Sequence, residues 1–159
     1  MHNIVAIIPA HNEADTISGT IQSLQTQGIT DITVIADNCT DDTAEVALTN
    51  SVKVLITKGN LDRKSGALNF ALSELGSRPI APHLVLAVDG DTVLHDGWVR
   101  AALGSLEKPS VGAVGAIFEA DSTTGFLRRC QALEWYRFAE QANRTGKTFV
   151  LSGTAAIIR

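Results

Sequence analysis

An α/β fold built on a mostly parallel sheet is what this sequence predicts, and three observations carry the prediction. Short apolar runs alternate with segments of helical periodicity along the whole chain, the pattern of βαβ units with right-handed crossovers. One of the runs, Leu84 to Val88, is apolar throughout, as in a strand covered on both faces. Polar residues then follow three of them at once: His11-Asn12-Glu13, Asp37 and Asp89-Gly90-Asp91. In an open α/β sheet the carboxyl ends of the strands are where ligands bind.

Each element can be justified in turn. Ile4 to Ile8 is rich in β-branched residues and reads as strand one, closed by Pro9, which cannot continue a central ladder. Asn12 or Asp15 can cap a helix whose apolar positions Ile17, Ile21 and Leu24 fall at helical spacing before Gly28 stops it. Ile32 to Ala36 gives strand two, ending at Asp37, and Thr40 with Thr43 to Leu48 reads as a capped helix. Val52 to Ile56 is strand three. A loop with Lys58, Arg63 and Lys64 leads into a helix with Leu68, Leu72 and Leu75 on one face. Pro79 and Pro82 bracket the turn into strand four, Leu84 to Val88. Trp98, Ala102 and Leu106 pattern another helix, Val111 to Phe118 a strand, Phe126, Cys130 and Leu133 a longer helix, and Phe149 to Ile158 a last extended segment.

Composition narrows the function classes. The 159 residues suffice for one compact domain, and 45% hydrophobic with 19% charged residues argues against disorder. Thirteen basic and 17 acidic residues give a net charge of -4 without a long basic run, so nucleic acid is not an expected partner. Cys39 and Cys130 lack the spacing of a metal knuckle and read as free thiols in a reducing compartment. With no signal-peptide pattern and no apolar stretch of about 18 residues, no membrane segment is expected and the location reads as cytoplasmic.

Asp89 and Asp91, one residue apart around a glycine at a strand end, can converge on one divalent cation beside a phosphate-bearing substrate. They can equally cap the next turn. The cations of Lys58, Arg63 and Lys64 precede a helix N-terminus, a favourable place for phosphate, or else form a solvated loop. His11 and His95 are left out of the metal site, since a lone histidine beside a turn is more often a surface residue. Trp98, Trp135 and Tyr136 could form a sugar platform, but their helical spacing favours packing.

Taken in order, Val5-Ala6-Ile7-Ile8-Pro9-Ala10-His11-Asn12-Glu13, the loop after Asp37, Lys64-Ser65-Gly66-Ala67-Leu68-Asn69, Asp89-Gly90-Asp91 and Ser152-Gly153-Thr154 resemble the family 2 glycosyltransferases. Members are inverting, nucleotide-sugar-dependent enzymes of the GT-A fold. The resemblance covers Val5 to Arg159 and implies a Rossmann-like sheet with flanking helices, in which residues 1–159 form a single donor-binding domain with an incomplete C-terminal part. It implies that Pro9, Ala10 and Glu13 line the nucleotide pocket and that Asp37 accepts a hydrogen bond from the base, usually uracil. Lys64 would approach the uridine or the diphosphate. Asp89 would contact ribose or sugar, and Asp91 would ligate the Mg²⁺ or Mn²⁺ that bridges the diphosphate of a UDP-sugar.

The chain departs from the family at its end. Inverting transfer needs a general base, which in this family lies beyond the Ser-Gly segment, so the base is expected beyond Arg159 and no catalytic residue is assigned within the chain. Glu134 and Glu140, on a helix, are poor substitutes. The acceptor is not specified. A non-catalytic donor-binding fragment therefore remains an alternative, as does self-association through an exposed final strand or association with a missing C-terminal part, and membrane association if the chain is a fragment. A haloacid-dehalogenase-like phosphatase using Asp89 and Asp91 would need a downstream lysine and an acidic pair for Mg²⁺; after Leu94 the only lysines are Lys108 and Lys147, and no acidic pair appears. A dinucleotide-binding dehydrogenase lacks its Gly-x-Gly-x-x-Gly.

Overall fold

A computed structural model describes residues 3–77, 82–117, 125–145 and 153–159. The elements are β1 (Ile4–Ala10), α1 (Ile17–Thr26), β2 (Asp31–Asp37), α2 (Thr43–Thr49), β3 (Lys53–Thr57), α3 (Arg63–Gly76), β4 (Leu84–Val88), α4 (Trp98–Leu106), β5 (Ala113–Gly115), α5 (Phe126–Thr145) and β6 (Ala155–Ile158). The strands form one sheet in the order β3-β2-β1-β4-β6-β5. The first four are mutually parallel, whereas β6 runs antiparallel between β4 and β5.

The continuous apolar runs follow from burial on both faces. Alternate residues of β1 point opposite ways. Ala6 and Ile8 join Ile17, Ile21 and Leu24 of α1, and Val99 and Leu106 of α4, in the larger core; Val5 and Ile7 meet Ala67, Ala71 and Leu75 of α3 in the smaller. A strand so placed has no face left for polar side chains. Its polar residues collect at its ends.

Several elements differ from expectation for identifiable reasons. β1 runs through Pro9 to Ala10, because β4 pairs with it only as far as Ile7, and beyond that point one flank of β1 has no partner strand to require an amide. Neither Asn12 nor Asp15 caps α1: its N-cap is Thr16, which makes no side-chain cap bond. The buried face of α3 is Ala67, Ala71 and Leu75 at four-residue spacing, while Leu72 is exposed and Leu68 packs only partly. Small side chains let this helix lie close to the sheet. Within the expected strand 111–118, only Ala113–Gly115 pairs. The final strand begins at Ala155, and residues 149–152, like Pro79 and Phe118, lie outside the described residues. The expected stripe Phe126, Cys130 and Leu133 faces outward on α5, since Ala132, Trp135 and Ala139 take the partly covered side.

The last strand carries the largest correction. It is not an exposed edge: β6 is hydrogen-bonded on both sides, and Ala155 and Ile157 are fully buried. The reason given for self-association through that strand therefore falls away. Because Ile157 sits in the larger core beside Leu86, Ile157→Ala is expected to lower unfolding free energy by about 2–5 kcal/mol. Urea denaturation checks this, and a loss below about 1 kcal/mol would place the residue at a tolerant edge instead.

Candidate functional site

Because β1, β2 and β4 are parallel, their C-terminal ends open on the same side of the sheet. A cavity of about 600 Å³ lies there, lined by Pro9, Ala10, His11, Glu13, Asp37, Asn38, Arg63, Lys64, Asp89, Gly90 and Asp91. The seven residues expected from the sequence, Pro9, Ala10, Glu13, Asp37, Lys64, Asp89 and Asp91, thus border one space. Lys58, the third cation of its loop, is exposed and not part of the lining.

The three loops around the cavity hold one another. Asn12, in left-handed backbone at φ 56°, accepts the Thr40 amide on its side-chain oxygen at 2.8 Å. Thr43 Oγ accepts the amide of Glu13 at 2.8 Å, and Asp41 Oδ2 accepts that of Ala14 at 3.1 Å. On the other flank Asn38, also left-handed at φ 51°, accepts the Gly59 amide at 2.7 Å and donates to the Asn60 carbonyl at 2.8 Å. Backbone polar groups that a loop cannot pair within itself are thereby satisfied by its neighbours.

Asp37 sits at the centre of this framework, buried at 5% exposure. Its Oδ1 accepts from Thr57 Oγ and, at 2.9 Å, from Asn60 Nδ2. The ring of His11 bonds the Asp37 carbonyl through Nδ1 at 2.7 Å, which makes Nδ1 the protonated nitrogen. Opposite, Lys64 forms an ion pair with Asp89 and donates to the Gly153 carbonyl at 2.5 Å, while the Asp89 amide bonds the Thr154 carbonyl at 2.9 Å. The end of β4 is thus tied to both α3 and the start of β6.

Gly90 is required by close approach. A Cβ there would lie 3.1 Å from Glu13 Cγ and 3.2 Å from the buried Ala10 Cβ, and its carbonyl accepts Thr20 Oγ at 2.9 Å in the core. This is why β4 can end in two carboxylates separated by one residue and still nest against β1. Asp91 is exposed at the cavity, its nearest bonded group being Thr92 Oγ at 3.5 Å. Among the described residues no cluster of three or more His, Cys, Asp or Glu side chains could hold a metal ion by itself.

Sequence reading missed the roles of Asn38 and Asn60, whereas Arg63, expected as a phosphate cation, and His11, expected near the site, both line the cavity. A usable signal existed for one of them. Asn is among the few residues that adopt left-handed backbone readily, and Asn38 directly follows a strand-ending Asp. Asn60 carried no such signal, since its place is set by tertiary packing on Gly66, where a Cβ would fall 2.0 Å from its side-chain oxygen.

Over residues 5–159 the chain matches the family model described as glycosyl transferase family 2. The chain belongs to that family. No curated protein sequence matches it. Among solved structures, this glycosyl transferase family 2 chain is similar to glucosyl-3-phosphoglycerate synthase of Mycobacterium tuberculosis, with 20% identity and a TM-score of 0.64, covering 99% of this chain and 57% of that one. The same enzyme in complex with Mn²⁺, UDP-glucose and phosphoglyceric acid matches at 19% identity, TM-score 0.66 and coverage of 99% and 56%. Its complex with Mg²⁺ and UDP matches at 22% identity, TM-score 0.66 and the same coverage. The chain spans a little over half the length of these structures. The likeness establishes a GT-A, Rossmann-like sheet with flanking helices. Family membership also accounts for Asp89-Gly90-Asp91 without a phosphatase, and in this chain Asp89 is engaged by Lys64. Among the described residues no helix is long and apolar enough to cross a membrane.

Two predictions follow from the packing of these loops. Gly90→Ala pushes a methyl against Ala10 and Glu13, and is expected to lower unfolding free energy by about 1–3 kcal/mol in urea titrations; an unchanged midpoint would contradict the close fit. Asp41 is held below the usual carboxylate range chiefly by the Thr43 hydroxyl; partial desolvation opposes this, and the Ala14 and Thr43 amides add to the lowering. A carboxyl depressed on folding stabilises above its ordinary value of 3.8 and loses that contribution as pH falls below it through the folded-state value. Asp41→Asn should therefore flatten the acid limb of the stability curve below about pH 4, measured by thermal melts across pH; an identical limb would remove Asp41 from it.

Proposed function

We propose that the cavity binds a nucleotide-sugar donor, with UDP-sugars the favoured class, and that the chain is the donor-binding part of an inverting glycosyltransferase. One observation carries the reading: carboxylates and cations border a single space at the carboxyl edge of the sheet, with Asp37 at the end of β2 and Asp89, Asp91 and the Asp89-paired Lys64 across β1 at the end of β4. A nucleoside diphosphate needs that division. Its base offers N–H donors to a carboxylate, and its phosphates need cations.

The residues fit a divalent cation that arrives with its substrate. Mg²⁺ and Mn²⁺ are commonly held by one or two carboxylates together with phosphate oxygens and water. Asp91, exposed at the lining, would supply such a carboxylate, whereas a closed protein cage is not formed among the described residues. When bound, the cation neutralises charge on the leaving diphosphate. The protein's own part is electrostatic and positional. Pro9, Ala10 and Glu13 wall the nucleotide, Asp37 accepts from the base, and Asp89 contacts ribose or sugar. Lys64 exchanges its contacts with Asp89 and Gly153 for the diphosphate.

With the cavity carboxylates committed to those roles, the general base of the transfer step comes from outside residues 1–159, and so does the acceptor subsite. Residues 1–159 act as one donor domain in this reading. A cytoplasmic location belongs to the same proposal, supported by the two free thiols, Cys39 and Cys130.

Titration calorimetry tests the donor reading. UDP is expected to bind at least about tenfold tighter with Mn²⁺ than without, and Asp91→Ala to erase that difference while leaving thermal stability within about 0.5 kcal/mol, as for an exposed side chain. Absence of UDP binding under both conditions would overturn it.

A further inference from the structure

Asp37 has two carboxylate oxygens in unequal circumstances. Oδ1 is filled twice, by Thr57 Oγ and by Asn60 Nδ2 at 2.9 Å. No donor among the described residues reaches Oδ2, although Asp37 is 5% exposed and lines the cavity. Among the described residues Thr33 Oγ is the one enclosed side-chain atom without a partner, so Asp37 Oδ2 is not sealed in: it opens on the cavity and takes its donor from there. The two residues that fill Oδ1 are themselves fixed. Thr57 is the cross-strand partner of Asp37 at the end of β3. Asn60 also donates Nδ2 to the Arg63 carbonyl at 2.7 Å and accepts the Asp62 amide on Oδ1 at 3.0 Å, and it packs against Gly66. Those bonds assign its amide: the nitrogen must face Asp37, because the opposite face meets a backbone donor.

We propose that Thr57 and Asn60 are the positioning residues that set nucleobase selectivity, by saturating one oxygen of Asp37 and presenting the other as a lone acceptor. Neither residue touches the ligand in this account; both act through Asp37. The inference rests on the donor reading above and names what that site distinguishes. A lone acceptor suits a base with a single imide N–H, which uracil offers at N3. Cytosine presents an unprotonated ring nitrogen there, which a carboxylate repels. Guanine offers adjacent ring and amino donors, whose bidentate recognition would need Oδ1 as well, and Oδ1 is taken. With Oδ1 released, the carboxylate can rotate and share both oxygens, and the discrimination is lost.

The test uses the 159-residue chain, Mn²⁺ and four probes: UDP, CDP, GDP and pyrophosphate, the last carrying the charge without the base. Wild type is expected to bind UDP at least tenfold tighter than CDP or GDP. Thr57→Val removes the hydroxyl at nearly constant volume and is expected to cut UDP affinity about tenfold, the factor a hydrogen bond to a charged group carries. Its pyrophosphate affinity stays within about twofold of wild type, and Thr57→Ser restores the preference for UDP. Asn60→Asp, which sets a second carboxylate against Oδ1, shifts selectivity in the same direction. A UDP preference unchanged in Thr57→Val overturns the inference, as does a parallel loss of UDP and pyrophosphate affinity, which marks a merely structural role. Wild type that binds pyrophosphate but prefers no base overturns the inference and leaves a phosphate site standing. Wild type that binds neither UDP nor pyrophosphate overturns the donor reading and this inference with it.

Discussion

The structure depends on one constraint: a sheet buried on both faces can place charged side chains only at its strand ends. β1 and β4 spend their interior residues on the two cores, Val5 and Ile7 on one side, Ala6, Ile8, Leu86 and Val88 on the other. Asp37 and Asp89 therefore stand where their strands emerge, with Asp91 just beyond. The parallel direction puts all three on one edge. Charge concentrates there because the fold excludes it elsewhere, and the same concentration makes the edge chemically useful. Had the sheet been antiparallel throughout, successive strand ends would have alternated between opposite edges.

Rigidity at that edge comes from loops that bond each other more than they bond themselves. The β1–α1 loop is held by Asp41, Thr43 and Thr40 of the next loop, which is in turn held through Asn38 by Gly59 and Asn60. Lys64 closes the ring by reaching Asp89 and Gly153. Pre-set side chains of this kind reduce the ordering cost of binding a charged ligand. The antiparallel β6, inserted between β4 and β5, extends the framework to the C-terminal end of the described chain.

Much of this was readable from the residues. Short runs rich in β-branched and other aliphatic residues, two of them followed by an aspartate, are strong signals, and β1, β2, β3 and β4 appear within two residues of where periodicity puts them. Helix faces were less legible. In α3 the leucine spacing pointed to Leu68, Leu72 and Leu75, but close approach to the sheet favours Ala67 and Ala71, and a pattern of large residues cannot report how near a helix packs. In α5 the apolar stripe of Phe126 and Leu133 faces outward, so hydrophobicity alone misassigned its covered side. Capping failed for a related reason: the Asn12 side chain answers Thr40 in another loop rather than its own helix.

By itself, the sequence determined the α/β class and the parallel core strands, because burial writes itself as apolar runs with polar ends, while the seven residues that come to border the cavity were legible through the family resemblance of their motifs. Only the tertiary structure decided how those residues are held. Asn38, Asn60, Thr57 and Gly90 act across 20 to 70 residues of chain, from the 20 between Asp37 and Thr57 to the 70 between Thr20 and Gly90. Such contacts follow no local period. They arise where loops from separate βαβ units meet, and strand pairing alone sets which loops those are.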